Sequence, residues 1–119
     1  MAFKIGLLGY GTVGTGTAEI ILDPEGRNSL LQDIEIAKVG VRSLDQPRSP
    51  ELPSGVLTTD LAAIVRDPEI EIVVELLGGL EPARSLILQA IEHGKHVVTA
   101  NKAVIARHGA EIFTAANQA

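Results

Sequence analysis

This sequence predicts an α/β fold, a doubly wound parallel sheet with helices on both faces, and three observations predict it. Short apolar runs alternate with stretches of helical spacing along the whole chain. Glycine or proline punctuates most of the junctions between them. The apolar runs carry few charges, as strands covered on both faces do, and parallel neighbours of that kind require helical crossovers.

The first strand is expected at Phe3 to Leu8 and is ended by Gly9. Thr12 to Leu22 follows as a helix, with Val13, Ile20 and Ile21 assigned to its buried face, Thr17 between them, and Asp23-Pro24 as its stop. Gly26 to Asp33 is polar apart from Leu30 and Leu31. Ile34 to Val41 reads as the second strand, apolar at Ile34 and Ile36 and then at Val39 and Val41. Ser43 to Gly55 carries Pro47, Pro50 and Pro53 and is expected as an extended exposed loop.

A short Val56-Leu57 segment leads to a helix bearing Leu61, Ile64 and Val65, with Thr58, Thr59 or Asp60 as its N-cap and a stop before Pro68. Ile70 to Leu77 is the next expected strand. Beyond Gly78-Gly79, Pro82 suits a first helical position, and Ala83, Leu86, Ile87, Ala90 and Ile91 keep helical spacing up to Gly94. Lys95 to Thr99 is the last strand. A helix from Asn101 to His108, a break at Gly109 and a further helical stretch complete the chain.

With 119 residues, 45% hydrophobic and 21% charged, the chain suits one domain, residues 1–119. Phe3, Tyr10 and Phe113 are its only aromatic residues, so Leu, Ile, Val and Ala are expected to build the core. The absence of cysteine excludes a disulfide framework and a thiolate zinc site. His93, His96 and His108 are too scattered to suggest a metal centre. A formal charge of −5 has the wrong sign for a nucleic-acid binder. No apolar run approaches the roughly 20 residues of a membrane span. The start lacks a signal-peptide pattern, and a soluble, cytoplasmic protein is expected.

In a sheet of this kind ligands bind outside the carboxyl ends of the strands, near the switch in strand order. The residues following Leu8, Val41, Leu77 and Thr99 are therefore the ones to question. After Leu8 stands Gly9-Tyr10-Gly11-Thr12-Val13-Gly14, a G-x-G-x-x-G between expected strand and expected helix. The first glycine permits a tight turn, the second lets the backbone approach a pyrophosphate, and the third lets helix and strand pack closely. The helix amino end adds free N–H groups and a positive dipole end. A Rossmann-type dinucleotide site is the reading, with Gly9, Tyr10, Gly11, Thr12, Val13 and Gly14 as cofactor-binding residues. Gly11 to Gly16 has the gap of a P-loop, but Thr17-Ala18 replaces the lysine and hydroxyl that ATP would need.

After Val41 stands Arg42, 28 residues beyond Gly14, the excess spacing accounted for by Asp23 to Asp33. An arginine there pairs with a 2′-phosphate, whereas a carboxylate would repel it. Ser43 and Arg48 are possible helpers and Asp45 a competing carboxylate, so NADP and NAD both stay open. Gly78, with Gly79, would let backbone approach the nicotinamide half, and serves equally well as a bare turn. Glu75 lies in an otherwise apolar strand and must be hydrogen-bonded or exposed. Lys102 presents an ammonium at the end of the last strand, where it could meet substrate or cofactor; it is the candidate catalytic residue and also a candidate cofactor contact.

Three strings together resemble the nucleotide-binding domain of homoserine dehydrogenase: Lys4 to Gly14, the Val73-Val74-Glu75-Leu76-Leu77-Gly78-Gly79 run, and His96-Val97-Val98-Thr99-Ala100-Asn101-Lys102-Ala103. The likeness covers nearly the whole chain. It implies NAD(P)(H)-dependent interconversion of L-homoserine and L-aspartate 4-semialdehyde, on the route to threonine, methionine and isoleucine. It also implies a role for Lys102 at the nicotinamide and substrate. Members of that family carry a further substrate-binding and dimerisation domain. The chain is thus expected to be a fragment of a homo-oligomeric enzyme, inactive alone, with an apolar surface at Ile112, Phe113, Ala115 and Ala116. Two other readings stand beside this one: the cofactor domain of another Rossmann dehydrogenase acting on an amino-acid-derived carbonyl, or a module that senses NAD(P) without chemistry.

Overall fold

Ile5, Leu7 and Leu8 are almost wholly buried, which commits the start of the chain to the centre of a sheet. The structure is a computed structural model and describes residues 3–23, 33–44, 52 and 55–119. Its elements run β1 (Phe3–Leu8), α1 (Thr12–Leu22), β2 (Ile34–Gly40), β3 (Leu57–Thr58), α2 (Leu61–Arg66), β4 (Ile72–Glu75), α3 (Ala83–Glu92), β5 (His96–Thr99) and α4 (Lys102–Gln118). The strands are all parallel and lie in the order β3-β2-β1-β4-β5. The chain steps outward from β1 to β3, then returns to the far side of β1. The strand order therefore reverses between β1 and β4, as a doubly wound sheet requires. Among the described residues no helix is long and apolar enough to cross a membrane.

One face of the sheet packs Ile5, Leu7, Ile36, Val39 and Val41 with Ala18 and Ile21 of α1. The other packs Leu8 and Val73 with Ile64 and Val65 of α2 and Leu86 and Ala90 of α3. Ile87 and Ile91 of α3 join Val104 and Ile112 of α4 in a third cluster. α3 buries the five positions expected of it. Asp60 proves to be the N-cap of α2, its carboxylate accepting from the Ala63 N–H at 3.1 Å. At Gly6 and Gly40 an added Cβ would strike the Ile64 and Leu61 side chains, so α2 lies directly on two glycines of adjacent strands.

The structure corrects several expectations. Val13 and Ile20 are 56% and 61% exposed; Ile21 is buried as expected, but its companions on the contact face of α1 are Gly14 and Ala18, because small residues let the helix backbone come close to the sheet. Tyr10 joins the aliphatic core. β4 is only Ile72–Glu75, since the chain turns off at Leu76. Pro82 is the N-cap of α3 and Asn101 that of α4, each one place before the helix proper. α4 runs through Gly109, and its irregularity falls at His108 (φ −126°, ψ 16°). Ile112 is buried against α3, so of the apolar surface expected on the last helix Phe113 is the large exposed member.

β2 carries a bulge. Ile5 pairs with Ile36 but Gly6 with Lys38, which leaves Ala37 as an extra residue. The bulge restores the alternation of buried positions after Ile36, so that Val39 and Val41 face the same cluster as Ile36. Pro24, the stretch from Gly26 through Leu30 and Leu31, and Asp45, Pro47, Arg48, Pro50 and Pro53 lie outside the described residues.

Candidate functional site

The turn between β1 and α1 is built almost entirely from main chain. Gly9 has φ +106°, and a Cβ there would lie 2.9 Å from the Leu76 carbonyl oxygen, so only glycine fits. Its N–H donates to the Gly40 carbonyl (2.9 Å), and the Leu76 N–H donates to the Leu8 carbonyl (2.9 Å). A Cβ on Gly14 would meet the Gly9 carbonyl oxygen at 2.4 Å, which brings α1 against the turn. Gly11 differs: a Cβ there would project into open space. No side chain caps the amino end of α1, and its first turn holds no acidic residue. Two glycines thus close the turn and the third leaves an approach to unpaired helical N–H groups, an arrangement that fits a pyrophosphate.

A cavity of about 450 Å³ opens over this turn. Gly9, Tyr10, Gly11, Arg42 and Gly78 line it, together with Ser43, Leu61, Leu76, Leu77 and Glu81. Of the residues expected to bind cofactor, the cavity therefore gathers five. Thr12, Val13 and Gly14 stand outside the lining, the last because it faces the turn from beneath. Tyr10 contributes to the wall while its ring belongs to the core. Arg42 is exposed at the rim.

Glu81 was not apparent from the sequence. Its carboxylate accepts from the Ser85 N–H (2.9 Å) and hydroxyl, and that bonding holds its pKa below the usual carboxylate range. The signal was a Glu-Pro pair four residues before a serine, where a carboxylate can cover the open amino end of α3.

Beneath the far wall lies a polar cluster. Glu75, fully buried, receives the Leu77 N–H (2.9 Å), the Thr99 hydroxyl and the Asn101 side-chain amide (3.3 Å). The same amide donates to the Gly79 carbonyl (2.6 Å), while the Asn101 Oδ1 accepts from the Val104 N–H (3.1 Å). Glu75 is hydrogen-bonded, one of the two states open to it. Lys102 follows this cap as the first residue of α4. It is exposed and lies on the same end of the sheet as the cavity, but not in its lining.

The sequence profile described as homoserine dehydrogenase, NAD binding domain, matches residues 9–119. The chain belongs to this family. Homoserine dehydrogenase from Synechocystis sp. is 72% identical over 99% of the chain. Two crystal structures of homoserine dehydrogenases share the fold over 99% of the chain: one from Thiobacillus denitrificans (TM-score 0.84, 47% identity) and one from S. aureus (TM-score 0.87, 34% identity). The chain spans 27% of the Synechocystis protein and 28% and 31% of the two crystallised chains. A NAD-binding domain of this family takes a dinucleotide, NAD or NADP, as its ligand.

Proposed function

We propose that these residues form the nucleotide-binding part of a homoserine dehydrogenase, which interconverts L-homoserine and L-aspartate 4-semialdehyde in the aspartate-family amino-acid pathway. The observation that carries this is the cavity at the strand-order reversal, floored by Gly9 and Gly11 and rimmed by Arg42 and Gly78, in a chain of this family. Thr12, Val13 and Gly14 belong to the same site as the α1 turn that meets the pyrophosphate. Arg42 stands where an adenosine 2′-phosphate would pair with it, and Gly78 at the nicotinamide half. A bound nicotinamide supplies hydride transfer.

Lys102, exposed at the carboxyl end of β5, is the group we assign to the substrate oxygen. Its ammonium would hold that oxygen and exchange a proton with it as the carbinol and carbonyl forms interconvert. We further infer that the complete polypeptide works in the cytoplasm as a homo-oligomer, and that residues 1–119 form one domain within it. The family resemblance supports these three statements. It favours chemistry over passive sensing because Lys102 accompanies the nucleotide crevice.

Two measurements test the reading. Calorimetry should show binding of NADP(H) at least as tight as that of NAD(H), with Arg42→Ala weakening NADP(H) alone by about 1.5–3 kcal/mol. Equal weakening of both would remove Arg42 from its place. In the complete enzyme, Lys102→Ala should lower kcat by roughly 10²-fold or more with the fold intact. Near-normal kcat would reject the proton-transfer role, and homoserine oxidation by the 119 residues alone would reject the need for further chain.

A further inference from the structure

We propose that Glu75 is a positioning residue for the nicotinamide half of the site, and the proposal rests on the dinucleotide reading above. Glu75 ends β4 at the strand-order reversal, with Leu8 of β1 opposite it on one side and Thr99 of β5 on the other. It is not part of the cavity lining. Of its three donors Leu77 belongs to the cavity wall, while Thr99 and Asn101 belong to the connection that leads into Lys102.

The segment from Leu76 to Gly78 is the far wall of the cavity. It leaves the sheet through two consecutive glycines with positive φ, 77° and 71°, and a Cβ at either would meet nothing within 4 Å. Leu77 packs against the core before the glycines, but the glycines themselves have no side chain to fix the turn. Two hydrogen bonds fasten it: the Leu77 N–H donates to Glu75 before the glycines, and the Asn101 side-chain amide donates to the Gly79 carbonyl after Gly78. Glu75 and Asn101 are bonded directly and also through Thr99, whose hydroxyl donates to Glu75 and whose oxygen accepts the Asn101 N–H (3.0 Å). Asn101 in turn starts the helix whose first residue is Lys102. One buried carboxyl group thus sets both the wall of the crevice and the start of the helix that bears the ammonium.

The chemistry of the clasp selects glutamate. Three donors converge on two oxygens, and a glutamine offers one acceptor and one donor in the same volume. Its amide nitrogen must face either Leu77 and Asn101, N–H against N–H, or Thr99, whose hydroxyl then accepts twice and has no carboxylate left to take its own proton. Glu75→Gln therefore leaves a donor of the clasp without its acceptor, without emptying the site. Asn101→Ser makes the complementary cut: serine still caps α4, but it has no amide to reach Gly79 or Glu75.

The test uses the 119-residue chain, NAD, and ADP-ribose, which lacks the nicotinamide. In the nucleotide-free chain, each variant should move the backbone amide resonances of Gly78, Gly79 and Lys102 together while leaving those of Gly11 and Thr12 in place. By calorimetry each variant should lose about tenfold or more in affinity for NAD and less than about twofold for ADP-ribose, and the double variant should lose no more than the worse single one. Lys95→Met, at the opposite end of the sheet, serves as the control for general destabilisation and should leave the NAD to ADP-ribose ratio unchanged. Unmoved resonances, or equal losses for both ligands, would overturn the role of Glu75. Failure of the unaltered chain to bind either nucleotide would instead overturn the dinucleotide reading, and this proposal with it.

Discussion

At the amino end of the sheet Lys95 is buried to 9% exposure; at the carboxyl end Glu75 is buried completely. The lysine ammonium donates to two main-chain carbonyls, those of Asp67 and Ile70, and so pins the turn that leads from α2 into β4. Glutamate gathers one main-chain and two side-chain donors from two segments, the turn after β4 and the connection from β5 to α4. Burial of a charged group is costly unless its hydrogen bonds are made, and both ends meet that condition. They differ in what the partners do next. The carbonyls held by Lys95 close a connection, whereas the donors held by Glu75 join the cavity wall at Leu77 to the start of α4 at Asn101. A parallel sheet is chemically asymmetric, and Glu75 and Lys95, the buried acidic and basic side chains among the described residues, follow the asymmetry.

The largest expected effect lies at the carboxyl end. Gly14→Ala pushes a methyl group against the Gly9 carbonyl at a nominal 2.4 Å; backbone cannot yield as a side chain can, so a cost of about 1–3 kcal/mol in unfolding free energy is expected, with loss of nucleotide binding. Gly11→Ala, where the space is open, should leave the unfolding midpoint unchanged and still weaken nucleotide binding. Urea titration beside calorimetry separates the two. If both substitutions destabilise alike, the division between closed and open glycines fails.

Next comes Lys95→Met. It leaves the Asp67 and Ile70 carbonyls without their donor, for an expected loss of about 1–3 kcal/mol and no change in nucleotide affinity. Desolvation holds the Lys95 pKa below its ordinary value of 10.5, opposed by the Asp67 carboxylate. Because the folded-state value is the lower one, the unfolded chain keeps this proton to higher pH. The Lys95 contribution is therefore level below the lowered value and rises as pH climbs from there to 10.5. The stability of the unaltered chain relative to Lys95→Met should increase across that alkaline window; a flat difference would contradict the burial of a charged ammonium.

The smallest effect belongs to a pair outside both ends. Arg84 of α3 grips Glu111 of α4 through two bonds, 2.7 and 2.6 Å. That grip, more than any other influence, holds the Glu111 carboxyl below its usual range. The bonding stabilises above the ordinary carboxylate pKa and is lost as pH falls through the lowered one. Arg84→Gln should shift the Glu111 titration upward in an NMR pH series, while added salt hides any change in stability.

Regions of the chain differed in how openly they announced themselves. α3 was legible because its buried face is made of large apolar residues at helical spacing. α1 was misjudged because its contact face is Gly14 and Ala18, which hydrophobic periodicity does not register, while Val13 and Ile20 are apolar and exposed. The bulge at Ala37 was written as a change of phase between Ile36 and Val39, visible only once the pairing is known. The glycine turn and Arg42 were singled out because strand ends are the expected place for ligands, an expectation that needs topology alone, and a cavity does open there. Asn101 could not be seen as the partner of Gly79 or Glu75, since residues 22 and 26 positions apart meet only through the sheet.

The floor of the crevice is main chain: Gly9 and Gly11 on one side, the Leu76 carbonyl pressed against Gly9 on the other, with the Gly9 N–H tied to Gly40 of β2 and the Leu76 N–H to Leu8 of β1. Such a surface has no rotamers to freeze when a ligand arrives, so the entropic cost of ordering it was met when the domain folded. Association with the pyrophosphate should accordingly resemble lock and key, with little heat-capacity change arising from the floor itself. Discrimination passes to the rim, where Arg42, Ser43 and Glu81 carry side chains that can be exchanged without moving a strand. In the proposed site the groups that would meet the pyrophosphate are backbone, and those that would tell one dinucleotide from another are side chains.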